Sequence, residues 1–177
     1  GRLPERLIDP KKDLDGISPL NSAKIFAGEE DGFAPCTAEA VMEILKGYEI
    51  PLEGKRAVIV GRSMVVGRPL AMLLLKANAT VTVCHTRTKD LKAVCREADI
   101  LVAAAGKAGM ITAEFAAPGA VVIDVGINVD ENGKLCGDVK WEGIEEVASA
   151  ATPVPGGVGS VTTAVLAKHL CQAAQRK

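Results

Sequence analysis

The stretch Ala57-Val-Ile-Val-Gly61-Arg62-Ser63-Met64-Val65-Val66-Gly67-Arg68-Pro69 decides the fold. A β-branched run ends in glycine, a serine follows two residues later, and a second glycine precedes an apolar segment with helical spacing. That order predicts a buried parallel strand turning sharply into a helix. Such a turn gathers backbone N–H groups and the positive end of a helix dipole, which suits a phosphate. The spacing departs from G-x-G-x-x-G, because Ser63 takes the place of the second glycine. A tight turn without a ligand would use the same glycines, so both readings stand at this point.

Working outward, the same alternation continues. Strands are predicted at Arg56–Val60, Thr80–Cys84, Ile100–Ala104 and Ala120–Val125, with helices at about Pro69–Lys76 and Asp90–Ala98 and a short one at Thr112–Phe115. Short connections between alternating strands and helices predict a doubly wound, mostly parallel α/β sheet. Upstream, a helix is expected from Cys36-Thr37, with Thr37 as its N-cap and Val41, Ile44, Leu45 and Tyr48 on one face. Residues 1–36, with four prolines, read as irregular, and the charged run Asp9-Pro-Lys-Lys-Asp13-Leu-Asp15-Gly16 as a solvated turn. Downstream, Glu131-Asn132-Gly133-Lys134 reads as a hairpin tip, Leu135–Val139 as a strand and Glu142–Ala148 as a helix. The loop Thr152–Ser160 holds two prolines and three glycines, and Ser160 is expected to cap a last helix, Val161–Gln175.

Composition narrows the class. The 177 residues are 48% hydrophobic with only 3% aromatic, so Val, Ile, Leu and Ala must build the core. Near-continuous apolar strands of that kind belong to a parallel sheet covered on both faces. A net charge of −1 exerts no global pull toward nucleic acid or an anionic membrane. No apolar run is long enough to span a bilayer, and no secretory signal pattern opens the chain. The chain opens on Gly1 rather than Met, which fits processing or truncation. Five cysteines without a C-x-x-C pair fit a reducing compartment, here read as the cytoplasm, and two distant histidines give no metal cluster.

In an open parallel sheet, ligands bind outside the carboxyl ends of the strands. This sequence places Gly61, Arg62 and Ser63 after the first strand, His85-Thr86-Arg87-Thr88 after the second, Ala105-Gly106 after the third and Gly126-Ile127-Asn128 after the fourth. Sites for NAD usually carry Asp or Glu after the second strand, to bind the ribose. No acid lies between Thr80 and Lys89. Thr86 and Arg87, with Arg62, suit the 2′-phosphate of NADP, which a carboxylate would repel. A lone solvated cation is the alternative for Arg87. Lys107 reads as exposed, Asp124 as a satisfied structural group, and Ser63, His85 and Asp124 as products of sheet geometry rather than a triad.

The runs Val60-Gly-Arg-Ser-Met-Val-Val-Gly-Arg-Pro69, Ile123-Asp-Val-Gly-Ile-Asn128 and Thr152-Pro-Val-Pro-Gly-Gly-Val-Gly159 together resemble the bifunctional methylenetetrahydrofolate dehydrogenase/methenyltetrahydrofolate cyclohydrolase family. Lys12-Asp-Leu-Asp-Gly16 and Pro35-Cys-Thr37 match as well, so the likeness runs from about residue 8 onward. It implies a Rossmann-like domain and NADP-dependent oxidation of 5,10-methylenetetrahydrofolate, followed by hydrolysis to 10-formyltetrahydrofolate. It assigns Gly61, Arg62 and Ser63 to the cofactor phosphates, and Thr86 with Arg87 to the 2′-phosphate. Ile127 would touch the cofactor, Thr37, Gly159 and Thr162 would lie near the nicotinamide, and Asp15 would hydrogen-bond the pterin. It further implies a cytoplasmic homodimer in one-carbon metabolism and purine biosynthesis, with no metal.

Two features depart from the family pattern. The chain starts after the positions of the family's catalytic Lys and neighbouring Tyr, and Arg2-Leu3-Pro4 has Arg where Gln precedes Leu-Pro. Ser160-Val161 replaces Pro-Met. The expected division is therefore 1–36 as remnant and linker of an N-terminal catalytic domain, 37–160 as the NADP-binding domain, and 161–177 as a helix packing back on the first. The alternative is an NADP-binding module that is inactive by itself.

Overall fold

Five parallel strands form the central sheet of the computed structural model, which describes residues 7–175. In chain order the strands are β1 (Arg56–Val60), β2 (Thr80–Cys84), β3 (Ile100–Ala103), β4 (Val121–Asp124), β5 (Asn128–Val129), β6 (Leu135–Cys136) and β7 (Ala150–Ala151). The sheet runs β2-β1-β3-β4-β7, while β5 and β6 form a separate antiparallel hairpin. The helices are α1 (Pro19–Ala27), α2 (Cys36–Gly47), α3 (Gly67–Lys76), α4 (Leu91–Cys95), α5 (Ile144–Val147) and α6 (Val158–Gln175). This is the doubly wound α/β architecture that the alternation predicts.

β1 shows why the sheet is covered twice. Ala57 and Ile59 point into a core shared with α2, α3 and Val165 of α6, and Val58 and Val60 into a second core with Cys95, Ile111 and Ile144. A β-branched residue buried to this degree contributes about 1.5–3 kcal/mol. The register sets the site. Val60 lies opposite Cys84 and Ala103, and Ala103 opposite Asp124, so four strands end on one line. The chain crosses from β2 past β1 to β3, which makes the β1/β3 boundary the topological switch point.

Several local expectations need correction. The irregular segment contains helix α1, with the Ser18 hydroxyl accepting from the Asn21 N–H at 3.3 Å, proline in its first turn and Gly28 at φ 75° closing it. These are standard start and stop signals, masked by the density of prolines. Thr37 is not an N-cap. Pro35 occupies that position, and the Asp15 carboxylate accepts the Cys36 N–H at 3.0 Å instead. Asp15 is therefore exposed but tied down, because a helix start without its own capping side chain recruits one from another segment. α6 begins at Val158, so Ser160 lies inside its first turn. The strand expected over Leu135–Val139 is only β6, with Val139 in an isolated bridge to Ile111. Tyr48 is 78% exposed rather than on the buried face.

The boundaries expected at 36/37 and 160/161 both fall within helices. Arg2-Leu3-Pro4 lies outside the described residues.

Candidate functional site

The turn between β1 and α3 is built by two glycines. Gly61 has φ 140°, and a Cβ there would run into the Ala104 carbonyl at the end of β3. A Cβ on Gly67 would run into the Gly61 carbonyl and crowd Arg62. The two glycines thus let the strand end, the turn and the helix start share one volume. Ser63 shapes the turn from within, its hydroxyl accepting the Val66 N–H at 3.1 Å and its carbonyl the Arg68 N–H at 3.1 Å. No side chain caps the start of α3, while Arg62 and Ser63 are exposed beside it. An uncapped helix start next to a guanidinium fits a phosphate group.

After β2 the chain folds back on itself. The Thr88 hydroxyl accepts the His85 N–H at 2.9 Å, and His85 Nδ1 accepts the Arg87 N–H at 3.2 Å. That tight loop leaves Thr86 and Arg87 exposed, without a carboxylate in the run. Arg62, Arg68 and His85 line a cavity of about 520 Å³ with Met64, Met72 and Phe26. It lies beside β2, displaced from the switch point toward α1.

The other half of the crevice is held by two acids. Asp124, at the end of β4, accepts the N–H groups of Gly126, Asp138 and Val139 at 2.9, 3.0 and 2.9 Å. Burial, with Asp138 beside it, pushes the Asp124 carboxyl above its usual range in spite of those donors. Asp138 is fully buried and accepts four donors. The Ala105 and Gly106 N–H groups reach one oxygen at 2.6 and 2.8 Å, and the Lys107 N–H and Asn128 amide reach the other at 2.8 and 2.9 Å. The loops after β3 and β4 are thereby tied to each other. The sequence marked Asp124 as a satisfied structural group, and the structure agrees; Asp138 went unremarked because three of its four partners lie 31 to 33 residues away.

Ile127 and Gly159 line one cavity of about 230 Å³ with Asp124, Leu135 and Pro153–Gly157. Ile127 is 69% exposed there. Thr162 sits in the second turn of α6, donating its hydroxyl hydrogen to the Val158 carbonyl one turn back at 3.1 Å. Thr37 is half-buried in the first turn of α2, the helix against which α6 packs. The strand-end residues thus share one edge of the sheet, with Arg62 and His85 on one cavity and Ile127 and Gly159 on another. Among the described residues, no group of His, Cys, Asp and Glu could hold a metal ion, and no helix is long and apolar enough to cross a membrane.

A parallel sheet of this order, with a glycine-built strand-to-helix turn at its switch point, defines a dinucleotide-binding domain. Residues 35–177 match the tetrahydrofolate dehydrogenase/cyclohydrolase NAD(P)-binding domain, and the chain belongs to that family. It is 60% identical to the bifunctional protein FolD of Alkaliphilus oremlandii, over 94% of this chain and 58% of that relative. It therefore spans about three fifths of the length of the curated relatives it matches. The FolD dehydrogenase/cyclohydrolase of Campylobacter jejuni superposes with a TM-score of 0.94 at 47% identity, over 97% of this chain and 61% of that one. The corresponding enzyme of Trypanosoma brucei, solved with NADP cofactor and an inhibitor, superposes at 0.89 with 40% identity, over 96% and 60%.

Proposed function

We propose that this chain is the cofactor-holding part of an NADP-dependent 5,10-methylenetetrahydrofolate dehydrogenase that also acts as methenyltetrahydrofolate cyclohydrolase. The observation that carries the reading is the uncapped start of α3 beside Arg62, next to a β2 end that offers Thr86 and Arg87 but no acid. Gly61, Arg62 and Ser63 hold the cofactor phosphates, and Arg62 also reaches the 2′-phosphate, beside Thr86 and Arg87. Ile127, Thr37, Gly159 and Thr162 line the nicotinamide end, and Asp15 receives the pterin of the folate. Bound NADP supplies the acceptor for the hydride leaving the methylene carbon. The work of this chain is placement, and hydride transfer depends on placement more than on an acid or base. No residue of this chain is assigned to the hydrolysis of the methenyl product to 10-formyltetrahydrofolate. The segment that leads into α2 links the cofactor domain to the folate side, and α6 returns toward it. The setting is a cytoplasmic homodimer serving one-carbon metabolism and purine biosynthesis, with no nucleic-acid or membrane partner.

Titration of NADP and NAD against wild type and Arg62→Ala tests the cofactor assignment. A charge-assisted contact of about 1.5–3 kcal/mol predicts a ten- to hundredfold loss for NADP and a much smaller one for NAD. Equal losses refute it. Adding 5,10-methylenetetrahydrofolate and following NADPH and methenyl absorbance tests the rest. Turnover supports the enzyme reading, and NADP binding without turnover reduces the chain to a binding module.

A further inference from the structure

His169, on α6, is 1% exposed, yet it uses both ring nitrogens. Nδ1 lies 2.7 Å from the Leu14 carbonyl oxygen, and Nε2 lies 2.8 Å from Oε2 of Glu39 on α2. A carbonyl and a carboxylate are both acceptors, so both nitrogens must donate, and only the imidazolium has two N–H groups. A neutral ring would leave one lone pair facing another in a site closed to water.

The two anchors are neighbours of proposed site residues. Leu14 precedes Asp15, whose carboxylate holds the Cys36 N–H, and Glu39 lies two residues after Thr37 in the first turn of α2. One ring therefore spans the Asp15 loop and the helix carrying Thr37. The Phe33 ring packs on it at 4.9 Å between centroids.

We propose that His169 is a positioning residue whose imidazolium clasps the Leu14–Asp15 loop to the first turn of α2, so that folate-side binding weakens when the ring loses its proton. The proposal rests on the reading of Asp15 as the folate contact. The groups facing the ring are Glu39 and the Cys36 thiol from α2, the latter at 3.7 Å, and Lys168 from its own helix. Lys168 is itself paired with Glu39 and Glu43 at 2.8 and 2.6 Å, and Asp15 stands beyond Cys36. Burial opposes the charge on His169, but Glu39 and the Leu14 carbonyl outweigh it and hold the ring's pKa above its ordinary value. The clasp is thus fully formed below that ordinary value and is lost as pH rises through the raised one.

In the full-length protein, KM for 5,10-methylenetetrahydrofolate and for NADP is followed with pH in wild type, His169→Gln and Glu39→Gln. In wild type the folate KM is expected to rise about tenfold, the factor set by the loss of one modest hydrogen bond, as the ring deprotonates, while the NADP KM stays level. His169→Gln should show the raised folate KM at every pH, and Glu39→Gln should move the transition about one pH unit lower. A His169→Gln enzyme with the wild-type folate KM and pH profile overturns the proposal. Nitrogen-15 spectra of the wild-type ring give a readout independent of turnover and of variant folding. Two protonated nitrogens that persist as pH rises past the ordinary imidazole value support the clasp, and a ring already neutral at that value overturns it even where no folate binding is found. A protonated ring in a protein that binds no folate leaves the clasp intact and removes the reading of Asp15.

Discussion

Replacing Asp138 by Asn changes one atom and sets the backbone of two loops against it. The carboxylate accepts two N–H groups on each oxygen: Ala105 and Gly106 on one, Lys107 and the Asn128 amide on the other. An asparagine must put its NH2 on one side, and whichever side it takes, two donors face a donor. A hydrogen bond to a charged group is worth about 1.5–3 kcal/mol, so two lost bonds remove about 3–6 kcal/mol. Domains of this kind are stable by about 5–15 kcal/mol in total, so the loss is a large share. Urea unfolding of wild type and Asp138→Asn at neutral pH, followed by circular dichroism, measures it. Asp130→Asn is the control. Asp130 also accepts two loop N–H groups, from Asn132 and Lys134, but in the solvent-facing turn of the hairpin, and it should cost under about 1 kcal/mol. NADP affinity should fall as well in Asp138→Asn, since the loops after β3 and β4 lose their common anchor. A variant within about 1 kcal/mol of wild type would show that the four contacts are replaceable by water and would refute the reasoning.

Gly67→Ala forces a methyl group into the Gly61 carbonyl, and because both atoms belong to tightly turned backbone the turn must open. Overpacking of that kind costs about 1–3 kcal/mol, and calorimetric titration should show NADP affinity reduced at least tenfold; unchanged affinity would detach the turn from the cofactor site. Asp13 gives an acid-side test. Burial opposes its charge, yet hydrogen bonds from the Asn21 amide and the Ser18 and Ile17 N–H groups hold its carboxyl below the usual range. Its contribution is present above its ordinary value and is lost as pH falls through the lowered one, so between about pH 5 and about pH 3 the urea midpoint of Asp13→Asn should drop less than that of wild type.

What could be read from the sequence was local. The four long strands follow from β-branched runs, and β5–β6 from the Asn132-Gly133 turn. The fifth sheet strand, β7, is Ala150–Ala151, which carries no β-branched or aromatic signal and exists because Val121 and Val122 offer a free edge. The roles of Asp15, Asp138 and His169 rest on bonds spanning 21 to 155 residues, which no window of sequence contains. Thr37 shows the same limit from the other side. A threonine at a helix start is a sound cap in isolation, but the chain upstream brings Asp15 to that helix end first.

The arrangement of acids also explains how a chain of net charge −1 can present a crevice suited to a phosphate. Asp124 ends β4 and Asp138 follows β6 of the hairpin, and both are buried with their oxygens turned onto backbone N–H groups of the loops they hold. Their charge is spent inward, on shaping those loops. Arg62, Arg87 and Lys107 remain exposed along the same edge. Charge at a strand end therefore has to be judged by what each oxygen accepts, since counting acids near the crevice would have predicted repulsion where the hydrogen bonds leave a basic rim.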